Sequence, residues 1–129
     1  MERRQSELTV ITKAKDLCSY VLTVTQKSPK QFRFTITSRL QNLSLDVVEC
    51  LYKANDTYAV KDDPVAKEKR LDYQRQAMTS LKLLCYIALL ATEQNSILFK
   101  QYEQISRQAS DCHNLLCGWI NSDKKRLQS

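Results

Sequence analysis

One glycine in 129 residues, Gly118, constrains this chain more than any other feature. Barrels and sandwiches turn often, and tight turns use residues that tolerate positive φ, glycine above all. Loops that cradle a pyrophosphate need several glycines for close backbone approach. A single glycine excludes both and argues for few, long helices. The length fits one domain, residues 1–129, and 43% apolar residues are enough to build a core without disulfide or metal staples.

Punctuation along the chain marks four segments. Ser28-Pro29-Lys30-Gln31 has the pattern of a helix start, with serine as cap, proline in the first turn and glutamine three residues after the cap. Asp63-Pro64 repeats the cap-then-proline arrangement, and Asn95 is the residue type that replaces glycine in the left-handed position ending a helix. The predicted helices are 6–27, 29–57, 64–94 and 98–121, followed by a basic tail at 122–129.

The apolar spacing is helical in each segment. Ile36, Leu40, Leu43, Val47, Cys50 and Ala54 alternate steps of four and three, as do Leu98, Tyr102, Ile105, Ala109, Cys112, Leu116 and Trp119. The first segment offers Leu8, Ile11, Ala14, Cys18, Val21 and Thr25, and the third Leu71, Met78, Leu81, Cys85 and Ala88. Such seams belong to helices packed at shallow angles, so the expected fold is an all-α, antiparallel up-down-up-down four-helix bundle.

The third segment departs from a single stripe. From Leu81 to Ala91 only Lys82 is not apolar, and the second segment carries an extra apolar line of Phe34, Leu45, Val48 and Tyr52. Two stripes on neighbouring helices predict a subunit interface, with Leu83, Ile87, Leu89 and Leu90 at its centre, although a thickly packed monomer core would use the same residues.

The chemistry-bearing residues are sparse. The single histidine, His113, removes most triads and histidine-rich metal sites. Cys112 and Cys117 are five apart, about 140° around a helix, and cannot both face one ion well. No paired carboxylates, nucleophile motif or phosphate loop is present, so neither catalytic residues, metal ligands nor a cofactor are expected. The other cysteines, Cys18, Cys50 and Cys85, make an odd total without a framework, which reads as free thiols in a reducing compartment. Met1-Glu2-Arg3-Arg4-Gln5 has no apolar stretch behind it, and the longest apolar run falls well short of the ~20 residues that span a bilayer, so a cytoplasmic location is expected.

The net charge of +6 serves either solubility or a polyanionic partner. Lys27, Lys30 and Arg33 surround the first corner. Lys67, Lys69, Arg70 and Arg75 occupy the first half of the third segment, with Tyr73 among them as a base-stacking candidate and Glu68 and Asp72 as local counter-ions. Arg39 and Lys82 are charged positions inside strongly apolar periodic stretches. The candidate nucleic-acid-binding set is therefore Lys27, Lys30, Arg33, Arg39, Arg70, Arg75 and Lys82. The alternative is an ordinary solvated face.

Several stretches resemble a known family. Lys13-Ala14-Lys15-Asp16-Leu17-Cys18-Ser19-Tyr20-Val21, Ser28-Pro29-Lys30-Gln31-Phe32-Arg33-Phe34 and Ser38-Arg39-Leu40-Gln41-Asn42 resemble the four-helix proteins encoded in intervening sequences of bacterial large-subunit ribosomal RNA. Arg70-Leu71-Asp72-Tyr73-Gln74 and Lys100-Gln101-Tyr102-Glu103-Gln104-Ile105-Ser106 look like the versions carried beside reverse transcriptases, the accessory variability determinants (Avd-like) of diversity-generating retroelements. Val48-Glu49-Cys50-Leu51-Tyr52-Lys53-Ala54-Asn55 stands where the ribosomal-RNA branch has Asn-Ile-Ala-Glu-Gly, which favours the Avd-like branch. The resemblance implies a barrel-shaped homopentamer without catalytic activity, which binds a reverse transcriptase and template RNA, or DNA or an RNA/DNA hybrid, and supports mutagenic cDNA synthesis. A protein-only scaffold or adaptor is the alternative.

Overall fold

The computed structural model describes the backbone of residues 2–128 and the side chains of residues 9–128. Four long helices run antiparallel: α1 Glu2–Val24, α2 Ser38–Asp56, α3 Pro64–Glu93 and α4 Phe99–Leu127. Each packs on its chain neighbours, and α4 closes the bundle against α1. Among the described residues no helix is long and apolar enough to cross a membrane.

The seams explain the arrangement. Every member of the α2 stripe from Ile36 to Ala54 is buried, and in α4 the burial runs from Ile105 through Trp119. In α1 the buried residues include Ile11, Ala14, Cys18 and Val21, with Val10, Leu17 and Val24 beside them, and Thr25 is buried in the 3₁₀ turn Thr25–Lys27 that follows. Leu8 lies outside the described side chains. Leu98, placed on the α4 seam by spacing, is instead exposed ahead of the helix.

The expected α3 seam needs correcting. The buried positions are Arg70, Gln74, Ala77, Leu81, Leu84, Ala88 and Ala91, again in steps of four and three. Leu71, Met78 and Cys85 are only half-buried. An apolar-only search missed this register because two of its seven members are polar.

Helix ends follow local chemistry in two cases out of three. Asp63 Oδ1 accepts the Ala66 N–H at 3.0 Å, capping α3 ahead of Pro64. Asn95 adopts φ 60°, and the Ser96 N–H returns to Ala91 O at 2.7 Å, ending α3 as predicted. Ser28 departs from the expected cap. Pro29 after it is extended, with ψ 141°, and regular α-helix begins only at Ser38. The intervening chain is a 3₁₀ turn, Lys30–Phe32, and a π turn, Arg33–Thr37. The Ser28 hydroxyl donates across the bundle to Ser96 O at 2.9 Å, tying this corner to the α3–α4 turn. The predicted C-terminal tail is also helical, since α4 continues to Leu127.

All five cysteines are free thiols, and Cys18, Cys50 and Cys112 are buried. Burial pushes the Cys112 thiol up to about 11 from an ordinary 9.0, with Asp111 adding to the effect. A thiol harder to ionise in the folded state stabilises the fold fully below the unfolded pKa. That contribution is lost as pH rises. Stability measured by urea unfolding should therefore decline between about pH 9 and about 11, and Cys112→Ala should flatten that decline.

Candidate nucleic-acid interface

The sequence-predicted cations do not form one surface. Lys27, Lys30 and Arg33 come together where the chain turns from α1 to α2. With Thr25, Ser28, Thr37 and Gln41 they line a cleft of about 420 Å³ that has no acidic residue on its walls. The three are exposed and make no ion pair with a described residue. Local structure places them. Pro29 fixes its own φ, Ser28 anchors the corner to Ser96, and Gln41 Nε2 donates to Thr25 Oγ1 at 2.9 Å across the cleft floor. Thr25, Thr37 and Gln41 were not among the predicted site residues. Thr25 was legible only as a seam position.

Arg75 lies elsewhere. It lines a shallow groove along the first turns of α3 with Lys67, Lys69, Glu68 and Asp72. Because the Ser28–Ser96 bond sets the corner cleft at the C-terminal end of α3, the two basic regions are ~30 Å apart at 1.5 Å rise per residue. The groove mixes both signs of charge, and Lys67 Nζ donates to Leu127 O at 3.3 Å. Arg39 and Lys82 are exposed and make no ion pair with a described residue. Tyr73 is half-buried, with Lys53 Nζ 5.9 Å from its ring centroid, so it is not an open stacking platform.

Arg70 overturns its assignment to a phosphate-facing surface. It is 5% exposed, inside the bundle. Its Nε donates to Asp123 Oδ2 at 2.7 Å and its Nη2 to Asp123 Oδ1 at 3.1 Å, a two-pronged pair. Nη1 reaches the carbonyls of Thr57 at 3.2 Å and Ala54 at 3.4 Å. The guanidinium stands 5.0 Å from the Trp119 ring centroid. Gln74 Nε2 also donates to Asp123 Oδ2 at 3.0 Å, and Arg126 reaches Asp123 Oδ1 at 3.4 Å and Ala59 O at 2.9 Å. The physical reason is register: Arg70 falls on the core stripe of α3, facing Asp123, which continues the α4 seam one step past Trp119.

The apolar candidates divide. Leu83 is 46% exposed and Tyr86 58%, Leu89 is also exposed, and Ile87 and Leu90 are half-buried against the core. On α2 and its entry, Phe34, Leu45 and Tyr52 are exposed and Val48 is half-buried. Part of the second stripe on each helix, Leu83, Tyr86 and Leu89 on α3 and Phe34, Leu45 and Tyr52 on α2 and its entry, is thus left uncovered by the chain's own fold. Among the described residues no group of three metal-ligating side chains forms.

No model of a protein family matches the sequence, and no curated protein does. The fold does match a solved structure, a protein of unknown function from the S23 ribosomal protein family of Bacteroides thetaiotaomicron, with a TM-score of 0.77. The match covers 90% of this chain and 98% of that one at 13% sequence identity, a likeness of fold.

The buried pair makes a sharp prediction. Asp123→Ala should cost about 3–5 kcal/mol in chemical unfolding, because it strands a buried guanidinium. Arg70→Met combined with Asp123→Leu should recover most of that loss. Equal stability of Asp123→Ala and parent would refute the structural role.

Proposed function

We propose that this chain is a non-catalytic, nucleic-acid-binding accessory protein that associates with a reverse transcriptase and its template RNA and supports mutagenic cDNA synthesis in a diversity-generating retroelement. The observation that carries the reading is the exposed trio Lys27, Lys30 and Arg33, gathered around a cleft free of acidic residues. Unpaired cations held close together repel one another; the charge of a polyanion relieves that repulsion, and its condensed counter-ions are released on binding. Arg39, Arg75 and Lys82 supply further exposed positive charge. The resemblance of the sequence to the Avd-like branch supports the same reading, and the shared fold with a member of the S23 ribosomal protein family suits it.

The active form is proposed to be a homo-oligomer, a pentamer by that resemblance. Its support here is the uncovered apolar stripe of Leu83, Tyr86 and Leu89 on α3. Burying such side chains yields roughly 1.5–3 kcal/mol each, and a soluble monomer has little reason to spread them along one helix.

Two measurements test this. Binding to single-stranded RNA, followed by fluorescence anisotropy, should weaken linearly in log–log form with added salt, since each phosphate neutralised releases counter-ions. RNA affinity absent even at low salt would leave the scaffold alternative. Separately, Leu83→Glu should leave helicity and the unfolding midpoint of the isolated subunit nearly unchanged, because the side chain already faces water there. Its solution mass should fall to that of one chain, and a monomeric parent protein at micromolar concentration would refute the assembly.

A further inference from the structure

We propose that the α1–α2 corner cleft is a built binding site for one phosphate group, with Thr37 as its buried hydroxyl donor and Arg33, Lys30 and Lys27 as its charge. Only the source of the phosphate, a nucleic-acid backbone, rests on the function proposed above; the oxyanion chemistry of the cleft does not.

Thr37 carries the argument beyond a patch of surface cations. It is 9% exposed, lines the cleft, and its Oγ1 has no hydrogen-bond partner. Three other threonines in helices or helical turns behave differently. Thr23, Thr25 and Thr92 return their hydroxyls to the carbonyl four residues back at 2.8–3.2 Å, and Thr57, just past α2, does the same to Lys53 O. At Thr37 the carbonyl four back is Arg33 O, and the π turn directs the Ser38 N–H onto that oxygen. The hydroxyl is left with an unused proton on a residue that lines a positively charged cleft. An unpaired buried hydroxyl is costly, so its retention is explained by a ligand that accepts from it.

The donor set selects the ligand. Arg33 offers a planar fork of N–H groups, Lys27 and Lys30 offer ammonium donors, and Thr37 adds a neutral donor from within. No carboxylate on the walls competes for the cations or would repel an anion. Several donors lining one cleft from successive turns, with no carboxylate that a cation would need, suit a tetrahedral oxyanion of high charge. The cleft is preorganised, because the Ser28–Ser96 and Gln41–Thr25 hydrogen bonds hold its rim and floor before anything binds.

The test uses the intact protein and two probes, inorganic phosphate and a short oligouridylate without terminal phosphate. Calorimetric titration at low ionic strength should show saturable phosphate binding. Arg33→Gln should abolish it, and Thr37→Val should weaken it about tenfold, as expected for a lost hydrogen bond to a charged group. In phosphate-free buffer Thr37→Val should raise the melting temperature, since it removes an unpaired buried hydroxyl without changing shape. Oligouridylate binding should weaken in both variants, with a shallower salt slope for Arg33→Gln. Phosphate binding that is absent, or that neither variant alters, overturns the site whatever the oligouridylate does. Phosphate binding abolished by Arg33→Gln and weakened by Thr37→Val, with no oligouridylate binding by the parent, upholds the site with free phosphate as its ligand and overturns the nucleic-acid reading alone. Should Thr37→Val fail to fold, the exposed Arg33 decides the matter by itself.

Discussion

A single carboxylate, Asp123, gathers one end of this bundle. It accepts from Arg70 through two nitrogens, from Gln74 and from Arg126, while Arg70 and Arg126 extend onward to carbonyls of Ala54, Thr57 and Ala59. The last turn of α2, the loop after it, α3 and α4 therefore meet at one charge. A buried ion pair is not in itself a source of large net stability, because desolvation offsets much of the attraction. Its strength lies in uniqueness. Apolar seams of small and medium residues tolerate sliding by a heptad, but Arg70 meets Asp123 in only one register of α3 against α4. Trp119, beneath the guanidinium, fills the layer that the charges alone would leave open.

That same layer explains where the sequence was transparent and where it was opaque. The α2 and α4 stripes are apolar through most of their length, so their spacing alone located the core. In α3 the core positions 70 and 74 are arginine and glutamine. Counting only apolar residues then shifts part of the seam by one, onto Leu71, Met78 and Cys85, and turns Arg70 outward. The signal available was complementary charge at matching seam positions, Arg70 on α3 and Asp123 continuing the stripe of Cys112, Leu116 and Trp119. The basic tail was hidden for the same reason, because Arg126 is fastened by Asp123 and by Ala59 O, which favours continuation of α4.

At the α1–α2 corner, local pattern and tertiary contact disagreed. Ser28, Pro29 and Gln31 satisfy the rule for a capped helix start, yet the serine hydroxyl finds Ser96 O on another part of the chain. The segment that follows winds as 3₁₀ and then π before settling into α2. Each change of winding rotates the side chains that come after it. Ile36 and Leu40 still reach the core, while Arg33 and Thr37 both turn to the cleft. Spacing on an ideal helix gives no access to that pairing, which is why the three cations were legible as a cluster and the hydroxyl among them was not.

The positions of the cleft and of the uncovered apolar stripe bear on how this chain can work. The cleft opens at one end of the bundle, at the α1–α2 corner, whereas Leu83, Tyr86 and Leu89 lie along the flank of α3. Side-by-side association through the flank would hide apolar surface without asking the cations to be desolvated or paired. Closed symmetry would then repeat the corner once per subunit on the same rim. Phosphates along a nucleic-acid strand are themselves a repeat, so a rim of weak oxyanion sites gains by effective concentration what a single cleft lacks. On the proposed function, the physics favours keeping each site modest: a strongly bound phosphate at every corner would hold the strand in place, whereas a template would have to move as it is copied.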